Sequence, residues 1–228
     1  MGNCQQCLIK TFNSFCSLLP EELAHLSEQK TEKTFKKGDV IFEEGNALHG
    51  VYCVKNGICK LSKLNSNGKE QIIRFIKDGD VLGYRSVIAN EPVSLTVTAL
   101  EDMNACYIPK KELFNLLDKN PKFTFDLLKT ACTDLKDANM HISSMGQKNV
   151  RQRLAETILF LKETFNTNED DYIAILLTRE EIASIVGTAT ESAIRLLSEF
   201  KKENIISLKG KSIKILNLEK LKQISEGF

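Results

Sequence analysis

Three sets of residues in this 228-residue chain have the types and spacing to do chemistry. The first is Cys4-Gln5-Gln6-Cys7, a C-x2-C pair, whose soft thiolates suit an iron–sulfur cluster or zinc. The second is Glu191 and Arg195, one helical turn apart on a predicted helix. Arg can fork onto guanine O6 and N7 in the major groove, and Glu can accept from the cytosine amino group. The bland alternative for this pair is a surface i,i+4 contact worth about 0.2–0.5 kcal/mol. The third is the run Lys209-Gly210-Lys211, flanked by Ile205-Ile206-Ser207-Leu208 and Ser212-Ile213-Lys214-Ile215, which reads as a hairpin with a basic tip.

The elements that must position these residues are legible around them. Thr178 precedes a helical pattern and has Glu181 three residues on, the spacing of a capping box. Thr178, Arg179 and the first amides of that helix can hold a phosphate. Gly187 then breaks the helix at the corner of a helix-turn-helix. Thr188 or Thr190 can cap a second helix reaching about Glu203. Its inward stripe is Ala193, Leu196, Leu197 and Phe200, leaving Thr190, Glu191, Ile194, Arg195 and Ser198 outward. An outward Glu/Arg face beside a basic hairpin is the layout of a winged helix-turn-helix. Phosphate neutralisation is supported locally: between Arg195 and Lys214 stand six Lys or Arg against two Glu.

Upstream, the chain reads as helical to about Lys33, with Pro20 in a first turn. From Phe35 to about Pro109 the pattern changes to period two, as in Leu95, Val97 and Ala99 against Ser94, Thr96 and Thr98. Turn signals recur at Gly38, Gly45, Gly57, Gly68 and Gly79, as expected for a small antiparallel roll. A short helix, Glu112 to Asp118, comes next. Then Leu128, Ala131, Leu135, Ala138, Ile142 and Met145 form a heptad seam narrow enough for a two-stranded dimer helix. Gly146 and the polar residues after it mark a hinge. A helix from Val150 to Phe165 and a short strand from Tyr172 to Leu177 complete the reading.

Composition sets the limits. The chain is 42% hydrophobic and 27% charged, with net charge +1, as expected for a globular protein, and its length suits one large domain or two of ordinary size. Seven cysteines without an export signal argue against a disulfide framework and for the cytoplasm. No apolar run is long enough for a membrane span. Met1-Gly2 hints at myristoylation, but Gln6 stands where the pattern wants Ser or Thr. No hydrolytic triad, metal-hydrolase spacing or phosphate loop is present, so no enzyme is expected. His25, His49 and His141 are scattered and form no ligand pattern.

These features together resemble the Crp/Fnr family of bacterial regulators over nearly the whole chain. Thr178-Arg179-Glu180-Glu181-Ile182-Ala183, Val186-Gly187, Glu191-Ser192 and Arg195-Leu196-Leu197 are similar to its DNA-binding signature. Gly38-Asp39-Val40-Ile41-Phe42, Glu44-Gly45, Val54-Lys55-Asn56-Gly57 and Gly79-Asp80-Val81-Leu82-Gly83 are similar to its cyclic-nucleotide-binding roll. The resemblance implies an α+β chain: a sensory β-roll with an N-terminal helix over residues 1–120, a dimerisation helix and hinge over 121–147, and a winged helix-turn-helix over 148–228. It implies a homodimer on near-palindromic double-stranded DNA, with RNA polymerase as a partner, and Glu191 and Arg195 reading a TGA core. Thr190 and Ile194 depart from both familiar subgroups; Ile194 is suited to a thymine methyl.

The resemblance also frames the effector. Cyclic-AMP members use a Glu and an Arg-Ser pair in the last roll loop. Here Gly83-Tyr84-Arg85-Ser86 lacks that Glu, and no Arg precedes Ser94, so cyclic AMP is not the expected ligand. Gly83, Tyr84, Arg85 and Ser94 still mark the matching pocket. Oxygen-sensing members hold a [4Fe–4S] cluster, and the resemblance points to Cys4, Cys7, Cys16 and Cys106 here, although the third ligand would fall at Asn13 by counting. On the other reading Cys16 and Cys106 are packing residues, as are Cys53, Cys59 and Cys132. A competing functional reading is a ligand- or redox-sensing module that works through protein contacts instead of DNA.

Overall fold

Burial of alternating side chains on short strands builds the first half of the molecule, seen here in a computed structural model describing residues 4, 7, 14–66 and 68–228. A 3-10 turn, Ser14–Ser17, precedes α1 (Pro20–Gln29), which has Pro20 in its first turn; the Leu19 amide donates to the Glu22 carboxylate at 2.7 Å. Eight strands follow: β1 (Thr31–Phe35), β2 (Val40–Phe42), β3 (Gly50–Asn56), β4 (Cys59–Leu64), β5 (Glu70–Ile76), β6 (Val81–Leu82), β7 (Thr96–Ala99) and β8 (Met103–Pro109). They form two four-stranded sheets, ordered β1-β8-β3-β6 and β2-β7-β4-β5. A short helix α2 (Tyr84–Ala89) interrupts them, and α3 (Lys110–Lys119) closes the roll.

One buried cluster lies between the sheets, around Val54, Leu82, Val97 and Met103. A second joins α1, α3 and the start of α4 (Pro121–Gln147) through Leu26, Leu113, Phe123 and Leu127. The second half contains α5 (Val150–Phe165), α6 (Arg179–Val186), α7 (Thr190–Lys202), the hairpin β9 (Ile206–Lys209)–β10 (Ser212–Ile215) and α8 (Leu218–Glu226). Contacts divide the chain into two units: the described residues up to Leu64 with Ile72–Asp137, and Asn65–Gln71 with Ala138–Phe228. Among the described residues no helix is long and apolar enough to cross a membrane.

Three expectations change. Helix does not persist to Lys33: residues 31–35 pair residue for residue with β8, because Thr31, Thr34 and Phe35 suit a pleated surface better than a helix. The strand expected at Tyr172–Leu177 is reduced to the bridges Thr167↔Ile173 and Tyr172↔Lys214. The hinge is sharper than expected. Gly146 stays inside α4, and the break falls where the Asn149 side chain accepts from the Gln152 amide at 3.0 Å to start α5.

Phe123 is fully buried, with its ring 5.3 Å from that of Phe15. Phe123→Ala should lower the stability of the first unit by about 3–5 kcal/mol in denaturant unfolding. A loss below about 1 kcal/mol would mean that this contact is not part of the core.

Candidate nucleic-acid interface

Helix α6 begins as the capping box predicts. The Thr178 hydroxyl oxygen accepts from the Glu181 amide at 3.1 Å, and the Thr178 amide donates to the Glu181 carboxylate at 2.8 Å. Gly187 ends the helix at φ +68°, a left-handed residue that most side chains avoid. Arg153 on α5 donates through Nε to the Val186 carbonyl at 2.9 Å and through Nη1 to the Lys148 carbonyl at 2.7 Å, so the helix-turn-helix corner is tied to α5.

Helix α7 buries Ala193, Leu196, Leu197 and Phe200, the expected stripe. Ala189 occupies the N-cap without a side-chain cap, so neither Thr188 nor Thr190 performs the expected capping; Thr190 is already the first helical residue. Both hydroxyls are left half-exposed beside Glu191, and Ser192 is also half-exposed. Glu191, Ile194 and Arg195 are exposed, and the Ile194 side chain is 45% accessible despite being apolar. Arg195 pairs with Glu199 at 3.4 Å, one turn toward the C-terminus. Glu199 also meets Arg151 of α5 at 3.3 Å, and Arg151 forks onto both Glu203 oxygens at 2.7 and 2.8 Å. The Arg151 guanidinium lies 4.7 Å from the Phe200 ring centre. Arg151 and its hydrogen bonds hold the Glu203 carboxyl below its ordinary range.

The hairpin turns through two residues, Gly210 and Lys211, with Gly210 at φ +58°, where glycine is favoured. Lys209 and Lys211 are exposed at its tip. Arg179 spans the gap between α6 and this tip: its Nη2 donates to the Gly210 carbonyl at 2.7 Å. Its Nη1 is buried and has no hydrogen-bond partner among the described residues. Arg179 therefore clamps the hairpin tip to α6 with one nitrogen.

Two family models match: a cyclic nucleotide-binding domain over residues 32–120 and a Crp-like helix-turn-helix domain over 152–224. The chain is 31% identical to the fumarate and nitrate reduction regulatory protein of Yersinia pestis over 229 residues, covering 98% of this chain and 90% of that one. It is 29% identical to the protein of the same name from Vibrio cholerae, with the same two coverages. The chain belongs to the Crp/Fnr family. Its fold matches that of FixK2 from Bradyrhizobium japonicum with a TM-score of 0.76 at 24% identity, over 86% of this chain and 96% of that one. It is accordingly a DNA-binding transcription regulator and not an enzyme.

The residues expected to mark the effector pocket of this Crp/Fnr protein are only partly brought together: Arg85 meets Ser94, while Tyr84 and Gly83 are engaged elsewhere. Arg85 donates to Ser94 and Ser86 at 3.3 Å each and pairs with Glu91 at 3.4 Å, a neutralised cation on an exposed surface. Tyr84 turns away, its hydroxyl donating to Asp134 at 2.6 Å, and Arg74 pairs with the same carboxylate. Burial and that carboxylate push the Tyr84 phenol well up. Gly83 serves as the left-handed N-cap of α2.

The thiols are arranged differently from the cluster expectation. Cys4, Cys7 and Cys106 line one cavity of about 30 Å³, joined by Cys53, Lys30 and Lys55. Cys16 is exposed outside it, with its sulfur 3.8 Å from the Ser17 hydroxyl. Among the described residues no three His, Cys, Asp or Glu side chains stand close enough to hold a metal ion. As placed, these residues do not fit the [4Fe–4S] ligand set Cys4, Cys7, Cys16 and Cys106. Cys59 is a packing residue, its thiol pushed up to about 12 by burial. Cys132, expected to pack, is exposed, because it faces away from the core on α4.

The capping box gives a direct check. Thr178→Ala should cost about 1 kcal/mol in urea unfolding of the second unit. An unchanged midpoint would show that α6 does not depend on this cap.

Proposed function

We propose that this regulator acts in the cytoplasm as a homodimer on near-palindromic double-stranded DNA, reading each half-site with α7. The observation carrying this reading is the exposed face Glu191–Ile194–Arg195 beside a basic hairpin that Arg179 clamps to α6. In this reading Arg195 forks onto a guanine and Glu191 accepts from a cytosine amino group, giving a TGA-like core. Ile194 packs on a thymine methyl, and an apolar side chain exposed on a charged helix is suited to that contact. Thr178, Arg179, Thr188, Thr190, Ser192, Lys209 and Lys211 take the phosphates and set the register.

The energetics favour the exchange. Arg195 gives up an exposed i,i+4 pair with Glu199 worth a few tenths of a kcal/mol. It gains a bidentate base contact worth about 1–3 kcal/mol of discrimination. Arg151 then keeps Glu199 paired, so that no carboxylate is stranded near the phosphates.

The second copy is supported by α4. Leu128, Leu135 and Ile142 are 56%, 62% and 68% accessible, along one seam with the exposed Ala138 and the half-buried Ala131 and Met145. Apolar side chains repeated at heptad spacing and facing outward suit a matching seam from a second chain. The half-sites then lie about one helical turn apart. RNA polymerase is the protein partner of this reading. Control runs through the first unit, and the relatives' names, which concern fumarate and nitrate reduction, favour a redox input.

Two variants test the reading by gel shift at fixed salt. Arg195→Ala should lose about 1–3 kcal/mol of sequence discrimination per half-site and keep its dimer mass; undiminished preference for the wild-type site would refute the readout role. Leu135→Asp should lower the dimer fraction in light scattering, and an unchanged mass at low concentration would refute the seam.

A further inference from the structure

Lys30 is 3% exposed, and a buried ammonium is costly unless it is partnered. It donates to the Cys106 sulfur at 3.4 Å, and Cys4 faces it across the same cavity. A packing cysteine needs no cation beside it, whereas a sulfur that must become anionic does.

Cys53 is the second feature. It lies directly opposite Cys106 in the β3–β8 ladder and lines the same cavity, half-buried. Directly opposed residues of an antiparallel pair have Cα atoms about 4.5–5.5 Å apart. That lies within the span of about 4.4–6.8 Å that a disulfide bridges.

We propose that Cys106 and Cys53 form a hydroperoxide-reactive dithiol, with Lys30 as the residue positioning the attacking sulfur. The Cys106 thiolate attacks one peroxide oxygen. An S–O bond forms, the O–O bond breaks, and the departing hydroxide leaves as water with the proton released from Cys106. Cys53 then attacks the sulfenic sulfur. An S–S bond forms, the S–O bond breaks, and the hydroxyl leaves as a second water with the Cys53 proton. Two thiols are oxidised and one hydrogen peroxide is reduced. Burial leaves the Cys106 thiol above its ordinary range even though Lys30, aided by Lys55, pulls it back, so removing Lys30 lowers the thiolate fraction further. The site uses neither Cys16 nor a metal, and its chemistry is independent of how α7 reads DNA.

The test treats the reduced full-length chain with hydrogen peroxide, quenches it with an alkylating agent and maps peptides without reductant. A Cys53–Cys106 linked peptide should form and disappear with dithiothreitol. Cys53→Ser should abolish that peptide and leave Cys106 trapped by dimedone as a sulfenic acid. Lys30→Met, verified as folded by circular dichroism, should react about tenfold more slowly, as expected for losing a charge-assisted hydrogen bond to the nucleophile. Oxidation confined to other cysteines, wild-type kinetics in Lys30→Met, or unaltered thiols would each overturn the assignment.

Discussion

Burial of Ala193, Leu196, Leu197 and Phe200 under one side of α7 determines everything that the other side can do. With 3.6 residues per turn, a helix that hides those four must turn Glu191, Ile194, Arg195 and Ser198 outward. The rest of the second unit maintains that choice. Arg151 stacks on Phe200 and grips Glu199 and Glu203, fixing the helix in rotation as well as in place. Arg153 ties the preceding corner, and Arg179 holds the hairpin tip. The outward face is thus held by three arginines that do not themselves lie on it.

A second constraint governs the first unit. Antiparallel pairing of β3 with β8 sets Cys53 opposite Cys106, and the end of α1 delivers Lys30 to the same place. A buried cation among thiols is poorly suited to an inert core and well suited to thiol chemistry. The roll interior near α2 has taken another course. Arg74, Tyr84 and Asp134 satisfy one another there, and Arg85 is engaged by Glu91 and Ser94. These pairings occupy the groups that an anionic ligand would have to recruit.

Much of this was legible in local sequence. Thr178 and Glu181 announce α6 because a capping box has a fixed spacing, and Gly187 announces its end because few other residues accept φ +68°. The long helix α4 and the period-two strands follow from repetition alone. What escaped was nonlocal or short. Helix α2 has only six residues, too few for a periodic signal. Arg151 and Arg153 meet partners more than thirty residues away, which no spacing rule reaches. Cys53 looked like packing because its neighbour Cys106 is joined to it only by strand register, and no local pattern marks Lys30 as the lysine that meets them. The cap expected from Thr188 or Thr190 failed because the chain enters α7 one residue between them, at Ala189.

The central claim is that a symmetric pair of α7 helices reads DNA through Glu191, Ile194 and Arg195. Selection of bound duplexes from a fully random library with the wild-type protein, followed by sequencing, tests it most directly. The account predicts enrichment of two inverted half-sites containing a TGA-like core, with centres about one helical turn, or about 10 base pairs, apart. Enrichment of a single unpaired element, or no sequence enrichment at salt concentrations where the protein still binds, would contradict it.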